Sequence, residues 1–150
     1  MSDQDLIYMQ HAIRLAETAA ANQEVPVGAV LVLDNQIIGE GWNHPIHAHD
    51  PSAHAEIIAL RRGADKIKNY RIVQSTLYVT LEPCIMCVGA IVHARVSRVV
   101  YGAADLRTGA VKSVFQLGDS NQFNHRVEYA SGLLAEACGD LLRKFFRERR

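Results

Sequence analysis

These 150 residues include few cysteines, no long apolar run and no net charge, and so lack the features that would indicate a secreted, membrane or strongly charged protein. No apolar run approaches the length of a membrane-spanning helix, and the first ten residues contain neither a basic leader nor an apolar signal segment. Three cysteines are an odd number, which argues against a disulfide framework. The net charge is zero, so the overall charge does not indicate a polyanionic partner. We therefore expect a cytoplasmic protein without a membrane segment.

The composition that remains is that of an ordinary globular protein. Hydrophobic residues make up 49% of the chain and charged residues 21%. The length is typical of one domain with one sizeable core, and neither an internal repeat nor a low-complexity linker divides it. We predict a single domain over residues 1–150.

Charge is unevenly distributed along the chain. The C-terminal stretch RKFFRERR (143–150) holds five Arg or Lys and one Glu, a net charge of +4, which leaves −4 for residues 1–142. Cations near the end of a helix stabilise it by complementing its dipole. They could instead contact phosphate groups of a nucleic acid. The sequence leaves both explanations open.

The spacing of apolar residues predicts alternating helices and strands. Leu6, Met9 and Ile13 recur at helical intervals behind Ser2, a suitable N-cap, whereas VGAVLVL (27–33) is a short β-branched run. Asp34 and Asn35 can turn that run into the next strand as a hairpin. The predicted helices are 3–22, 51–63, 82–94 and 132–147, and the predicted strands are 27–33, 36–42, 75–81, 98–102 and 126–130. The connection over 103–125 has no predicted structure.

This order of elements predicts the fold class. A strand, a crossover helix and a second strand in series imply parallel pairing, whereas the first two strands pair as an antiparallel hairpin. The prediction is an α/β fold: a three-layer α/β/α sandwich around a central mixed five-stranded sheet.

Two cysteines, Cys84 and Cys87, follow Pro83 at the start of a predicted helix. Residues three apart share a helix face, and the positive helix N-terminus lowers the pKa of a thiol there. The pair could supply half of a tetrahedral metal site. On its own, however, this spacing also fits a redox pair or chance. The remaining cysteine, Cys138, is expected to be an inert core thiol.

His54 also lies where a predicted helix opens, with Asp50 as the expected cap and Pro51 in the first turn. Successive junctions between strands and helices lie along one edge of such a sheet, which would bring His54 to the cysteines. Three protein ligands leave one tetrahedral position free, as in catalytic zinc sites. The loop histidines compete as candidate ligands, and they are His44, His47 and His49.

Glu56 stands two positions after His54. A carboxylate there could move protons between a metal-activated water and a substrate nitrogen. Residues two apart on a regular helix diverge by about 200°, so this hypothesis requires the helix to point its first turn at the metal. The alternative is an ordinary first-turn acid that stabilises the helix dipole.

The motifs together resemble a known family. HAE (54–56) with PCIMC (83–87) is similar to the signature of the zinc-dependent deaminases. The whole chain resembles the bacterial tRNA-specific adenosine deaminases. The segments that carry this resemblance are EVPVGAV (24–30), GEGWN (39–43), HDPSAHAEI (49–57), TLEPCIMC (80–87), RVVYGAAD (98–105), TGA (108–110) and NHRVE (124–128), with the basic C-terminal stretch.

The resemblance implies a cytidine deaminase-like fold and a zinc-dependent hydrolase that converts adenosine to inosine at the wobble position of a tRNA anticodon. One zinc per subunit would be held by His54, Cys84 and Cys87. Glu56 would be the catalytic proton shuttle while activated water attacks C6 of adenine. The substrate contacts implied are Asn43, Glu24, Val25, Val27 and Asp105. The resemblance also implies a homodimer that binds the anticodon stem-loop, with the basic C-terminal helix near the anticodon stem.

Two other functions fit parts of the same pattern. A small-molecule deaminase acting on guanine, cytosine or cytidine would keep the metal but have no need for the basic C-terminal stretch. A zinc-stabilised RNA-binding domain without activity would be expected to close its metal site with four protein ligands, whereas three are found here. The tRNA deaminase is therefore the favoured hypothesis.

Overall fold

Five helices and five strands make up the described part of the chain, residues 1–149 of a computed structural model. The helices are α1 (Asp3–Ala21), α2 (Pro45–Ala48), α3 (Ala55–Ile67), α4 (Ile85–His93) and α5 (Ala135–Arg147). The strands are β1 (Gly28–Leu33), β2 (Gln36–Trp42), β3 (Thr76–Leu81), β4 (Arg98–Ala103) and β5 (Glu128–Ser131). Arg150, the last residue of the predicted domain and of the basic stretch, lies outside the described residues.

The strands form one mixed sheet in the order β2-β1-β3-β4-β5. β1 pairs antiparallel with β2 and β3, whereas β3 with β4 and β4 with β5 are parallel pairs. Asp34 and Asn35 both have positive φ, 52° and 60°, as a two-residue hairpin turn between twisted strands requires. The predicted mixed five-stranded sheet is confirmed.

Helices cover both faces of the sheet. α3 and α4 pack on one face, over a core that includes Leu31, Leu77 and Ile91. α1 and α5 pack on the other face, where Met9 and Cys138 are buried. The three-layer α/β/α arrangement is therefore confirmed. Among residues 1–149, no helix has both the length and the apolar character needed to cross a membrane.

α1 is fixed at its first turn. Ser2 caps it as predicted: its hydroxyl accepts a hydrogen bond from the Asp5 N–H at 3.2 Å, and the Asp5 carboxylate accepts one from the Ser2 N–H at 3.0 Å. Asp5 is buried and also accepts hydrogen bonds from both terminal nitrogens of Arg98, each at 2.9 Å, and from the Tyr78 hydroxyl. The Arg98 hydrogen bonds hold the pKa of Asp5 well below its usual range. This ion pair joins α1 to β4.

The predicted start of the helix at residue 51 is wrong. α3 begins at Ala55, and Asp50 accepts hydrogen bonds from the N–H and hydroxyl of Ser52 at 2.9 and 2.7 Å, forming a local turn. The chain has already formed α2, a short helix that the sequence did not predict, and it leaves that helix at His49 with φ 50°. The first free N–H of α3 is capped by Asn43 instead, at 2.7 Å.

Other boundaries differ for local reasons. α3 does not end at Gly63, as predicted, but continues to Ile67. A Cβ at Gly63 would lie 2.4 Å from the side chain of Leu31, so this glycine allows the helix to pack closely on β1 and is not a helix terminator. α4 begins at Ile85, since the Glu82 N–H still pairs with the carbonyl of Ala103. Residues 104–127 form turns and bends without a helix or strand.

Candidate active site

The predicted metal ligands lie together where α3 and α4 begin. His54 and Cys84 are the N-cap residues of these two helices, and both have an extended backbone conformation. Their ligating atoms and the Cys87 sulfur lie within 4.8 Å of one another. His54 Nδ1 is 3.6 Å from Cys84 Sγ and 3.7 Å from Cys87 Sγ.

These separations fit a zinc ion. Tetrahedral zinc with Zn–S bonds of about 2.3 Å and Zn–N bonds of about 2.0 Å places sulfur and nitrogen roughly 3.5 Å apart. Two of the loop histidines make other contacts: His44 Nδ1 is 2.8 Å from the Trp42 carbonyl oxygen, and His47 Nδ1 is 2.6 Å from Glu24. His49 does not belong to the cluster either. Within residues 1–149, no fourth His, Cys, Asp or Glu joins the group.

The electrostatics of the cluster suit the binding of a metal cation. Hydrogen bonds from Cys87 and His54 to its sulfur lower the pKa of the Cys84 thiol to about 4. The same hydrogen bond to Cys84, together with burial, raises the pKa of Cys87. The Cys84 sulfur is therefore favoured as a thiolate, which accepts hydrogen bonds from its two neighbours. A divalent metal can replace those shared protons, since metal binding releases protons from thiols and imidazoles.

Glu56 lies beside the cluster as the second residue of α3, with only 4% of its surface exposed. Burial raises its pKa to about 7, so the carboxyl can hold or release a proton near neutral pH. The divergence of about 200° between residues two apart on a helix does not apply here, because His54 precedes α3 and is not part of it. The first turn of α3 points at the cluster, as the hypothesis required.

A cavity of about 80 Å³ opens next to the cluster. Four of the five implied substrate contacts line it. Its lining consists of Val25, Val27, Asn43, His54, Glu56, Leu81, Glu82, Cys84, Asp105 and Thr108. The buried Val27 and the partly buried Val25 and Leu81 form apolar walls, while polar groups surround the histidine and the carboxyl group. This arrangement can enclose a small planar ring beside an acid–base group.

Residues 2–103 match the family described as the cytidine and deoxycytidylate deaminase zinc-binding region. A tRNA-specific adenosine deaminase of Haemophilus influenzae is 56% identical over 150 residues, which cover 99% of this chain and 87% of that protein. One from Buchnera aphidicola subsp. Baizongia pistaciae is 48% identical over 153 residues, covering 100% and 93%. The chain belongs to the tRNA-specific adenosine deaminase family.

A solved structure extends the similarity to three dimensions. It comes from studies of A-to-I editing by tRNA deaminases at the wobble position of transfer RNA. The TM-score is 0.88 at 38% sequence identity, covering 91% of this chain and 99% of that chain. The cytidine deaminase-like fold is thereby confirmed. A zinc-dependent hydrolytic enzyme is the conclusion from the family match together with the His54, Cys84 and Cys87 cluster.

Asn43 connects the cavity of this deaminase to α3. Its side-chain oxygen accepts the hydrogen bond from the Ala55 N–H, so its amide nitrogen is left as a donor. Because the residue also lines the cavity, one side chain caps the helix and offers a hydrogen-bond donor beside Glu56.

Glu24 is placed differently from the other implied substrate contacts. It is buried and does not line the cavity. Its carboxylate accepts hydrogen bonds from the N–H groups of Ile46 and His47 at 3.2 and 2.9 Å, which caps α2. Burial alone would raise the pKa of Glu24, but the hydrogen bonds from His47 and Ile46 lower it on balance. Glu24 thus anchors α2 behind the cavity and next to Val25.

Two polar cavity residues, Glu82 and Thr108, were missed by sequence reasoning, as was the apolar Leu81. Glu82 directly follows a buried strand and is itself only 2% exposed. A carboxylate in that position, immediately before the metal motif, is the signal that could have identified it. Thr108 offered no comparable signal, since it lies in a connection without regular structure.

Proposed function

We propose that this deaminase converts adenosine to inosine by hydrolysis at the wobble position of a tRNA anticodon, recognising the anticodon stem-loop. Residues 1–150 would form one such catalytic domain. The observation that carries the proposal is the convergence of His54, Cys84 and Cys87 with a buried Glu56 at one small cavity. Relatives that share most of the chain are named tRNA-specific adenosine deaminase, and the solved structure at 38% identity comes from studies of editing at the wobble position.

The proposed metal ligands are His54, Cys84 and Cys87, which would hold one zinc per subunit. When bound, zinc supplies a Lewis acid that lowers the pKa of a water molecule towards neutrality. Three protein ligands favour a catalytic site over a structural one, since structural zinc sites are usually closed by four.

Glu56 is the proposed proton shuttle. It accepts a proton from the water that adds to C6 of adenine, and it donates that proton to N1 of the ring. Glu56 then takes the proton of the new hydroxyl group on C6 and passes it to the exocyclic nitrogen. The C6–N bond breaks, the nitrogen leaves as ammonia and the C6 oxygen becomes a carbonyl, so that water and the adenine base give hypoxanthine and ammonia. Burial keeps the carboxyl group away from bulk solvent, which favours transfer to the substrate.

The remaining cavity residues would hold the nucleotide. Val25 and Val27 offer apolar surface for the face of a base, and the Asn43 amide nitrogen can donate to one of its acceptors. Asp105 lies at the rim, where the flanking RNA backbone would pass. An anticodon loop presents single-stranded bases, so extruding the target costs only a few kcal/mol.

We further infer that the deaminase is a homodimer that pairs through α4. The outer face of this helix is apolar: Ile85 is 56% exposed and Met86 lies beside it. A Cβ at Gly89 would meet nothing within 4 Å, so the same face is open along the helix. Exposed apolar surface of this kind is typical of an interface. Because α4 begins at the Cys84 ligand, a second subunit there would border the cavity.

The test is conversion of a synthetic anticodon stem-loop with adenosine at the wobble position. The zinc-loaded enzyme is expected to produce inosine, detected by mass spectrometry of the digested RNA, and to leave guanine, cytosine and cytidine unchanged. Glu56→Gln should keep its zinc but lose activity by roughly 10²- to 10⁴-fold. The exposed Glu17→Gln is the matched control and should keep full activity.

Two results would contradict the proposal. If the free bases or cytidine are converted and the stem-loop is not, the protein is a small-molecule deaminase. If Glu56→Gln turns over at the wild-type rate, the proton shuttle is another group.

A further inference from the structure

We propose that Glu82 is a positioning residue, which holds the loop over residues 105–113 in place and thereby sets the substrate-binding rim of the cavity. The inference rests on the proposed function, because it concerns how that substrate is held. Glu82 would affect the reaction only indirectly, through the loop residues that it holds in place.

The Glu82 carboxylate accepts five hydrogen bonds from this loop. Oε1 accepts from the Asp105 N–H at 3.0 Å and from the Ser113 hydroxyl at 2.5 Å. Oε2 accepts from the N–H groups of Val111, Lys112 and Ser113 at 3.1, 2.8 and 3.0 Å. Both oxygens are therefore occupied by the loop, and the residue is almost fully buried beneath it.

The chemistry of this contact requires a carboxylate. All five donors point at two oxygens, and an ionised carboxylate is the side chain that only accepts hydrogen bonds. The loop has no strand or helix to satisfy its own N–H groups, since residues 104–127 form only turns and bends. Within the loop, the N–H groups of Gly109 and Ala110 pair with backbone carbonyls, whereas Glu82 accepts from its first residue and from its last three residues. Glu82 therefore holds the two ends of the loop together.

Gly109 shows how closely the loop fits over the carboxylate. A Cβ at this position would lie 2.4 Å from the carboxyl carbon of Glu82 and 2.5 Å from the Asp105 carbonyl oxygen. Only a glycine lets the backbone approach to this distance. The loop and Glu82 thus form one packed unit.

This unit determines what the cavity presents to the substrate. Asp105 and Thr108 line the cavity, and the Asp105 carboxylate accepts hydrogen bonds from the N–H and hydroxyl of Thr108 at 3.1 and 2.8 Å. Leu106, between them, is 82% exposed at the turn. Releasing the loop from Glu82 would move all three residues relative to Glu56.

The experiment compares Glu82→Gln with the wild type on the wobble-adenosine stem-loop. Replacing one oxygen by an amide group sets a donor against the loop donors. KM is expected to rise roughly 10- to 100-fold, because the displaced rim holds the nucleotide less well, while kcat per bound zinc stays within about twofold. Gly109→Ala, which presses on the same contact from the loop side, should raise KM in the same way. Glu136→Gln, an exposed acid on α5, is the matched control.

Binding supplies a readout independent of turnover. In a Glu56→Gln background, Glu82→Gln should weaken the Kd for the labelled stem-loop by a factor similar to the change in KM. A merely structural role would instead lower the folded and zinc-loaded fraction, so that apparent kcat falls while KM and Kd stay unchanged. That outcome would overturn the inference.

If Glu82→Gln does not fold, Ser113→Ala decides the question. This variant removes one donor and leaves the carboxylate intact, so it is expected to fold and to raise KM more modestly. An unchanged KM in folded, zinc-loaded Ser113→Ala would also overturn the inference. Failure of the proposed function is distinguishable, since the wild type itself would then leave the stem-loop unconverted.

Discussion

At Asn43 a single side chain serves both the fold and the cavity. Its oxygen caps α3 through the Ala55 N–H, and that helix carries Glu56. Its amide nitrogen is the group left to donate towards a substrate. The two functions use different atoms, so substitution can separate them.

We predict that two substitutions at this position separate activity from stability. Asn43→Asp keeps the acceptor and adds a negative charge at the helix N-terminus, so stability and zinc content should be retained. Activity should fall roughly 10- to 100-fold, because a hydrogen-bond donor to the substrate is replaced by an acceptor. Asn43→Ala should instead lose about 1 kcal/mol of unfolding free energy as well.

Urea unfolding and stem-loop turnover, measured on both variants, check this prediction. Full activity in Asn43→Asp would show that the amide nitrogen makes no contact with the substrate. Full stability in Asn43→Ala would show that the cap is energetically unimportant.

For individual residues, the sequence predicted the position of those side chains whose placement depends on the helix that they begin. His54, Cys84 and Cys87 were identified because two helix starts bring them to one sheet edge. Asp50 was expected to cap α3, yet Ser52 provides a local partner that competes with the helix. Glu24 was implied by resemblance as a substrate contact, whereas its hydrogen bonds go to α2, 22 residues further along.

Among the secondary-structure elements, the packing of α3 on β2 determines where His54 lies. A Cβ at Gly41 would lie 2.2 Å from the Ala55 carbonyl oxygen and 2.8 Å from the Ala59 nitrogen. The helix backbone therefore rests directly on the strand backbone. The first turn of α3 can reach the cysteines only at this close approach.

We predict that Gly41→Ala lowers the free energy of unfolding by roughly 2–3 kcal/mol, since a rigid backbone contact must open. Because the start of α3 shifts, the bound zinc per chain should fall as well. Chemical denaturation and metal analysis test both effects. Gly139→Ala on α5 is the control, because its Cβ would meet only the flexible end of the Arg143 side chain. Equal stability and zinc content in both variants would refute the close-packing explanation.

The extent of most helices and strands followed from periodicity, because those elements bury one face along their whole length. Two features that the sequence did not predict, α2 and the loop over 105–113, depend on partners distant in sequence. The four-residue α2 is capped by Glu24, and the irregular 105–113 loop is held by Glu82. A local pattern contains no information on such contacts, so neither the short helix nor the loop could be predicted.

For the molecule as a whole, the apolar outer face of α4 predicts self-association. We expect a mass of twice 16.6 kDa by light scattering. Gly89→Glu should give a monomer, because it places a charge on this face without a clash inside the chain. Ile7→Glu, at an exposed apolar residue of α1, should stay dimeric as the control. A dimeric Gly89→Glu would place the interface elsewhere.

The charge distribution leads to a prediction about RNA binding. Deleting residues 143–150 would remove Phe145, which is buried in the contact between α5 and α1, so truncation would disturb the fold. Arg149 is also engaged, with its guanidinium 3.5 Å from the Phe145 ring centre and hydrogen-bonded to Gln23. Charge removal at exposed positions is the cleaner test. The suitable positions are Arg143, Lys144 and Arg147.

The triple variant with glutamine at these three positions should bind the anticodon stem-loop more weakly than the wild type at low salt. The slope of log K against log salt should fall by about 2–3, since each lost phosphate contact contributes 0.7–0.9. Fluorescence anisotropy over a salt series measures both quantities. The helix-dipole explanation predicts a different result: unfolding free energy lower by about 1 kcal/mol with RNA affinity unchanged.

A matched triple variant separates local from overall charge. Lys66, Lys68 and Arg71 lie at and after the far end of α3, away from the helix start that faces the cavity, and all three are exposed. Replacing them by glutamine changes the net charge by the same amount. If binding depends on where the cations lie, this variant keeps the wild-type salt slope, because net charge acts weakly beyond a Debye length of about 8 Å. Equal losses in both triple variants would show that the basic end of α5 has no special part in holding the RNA.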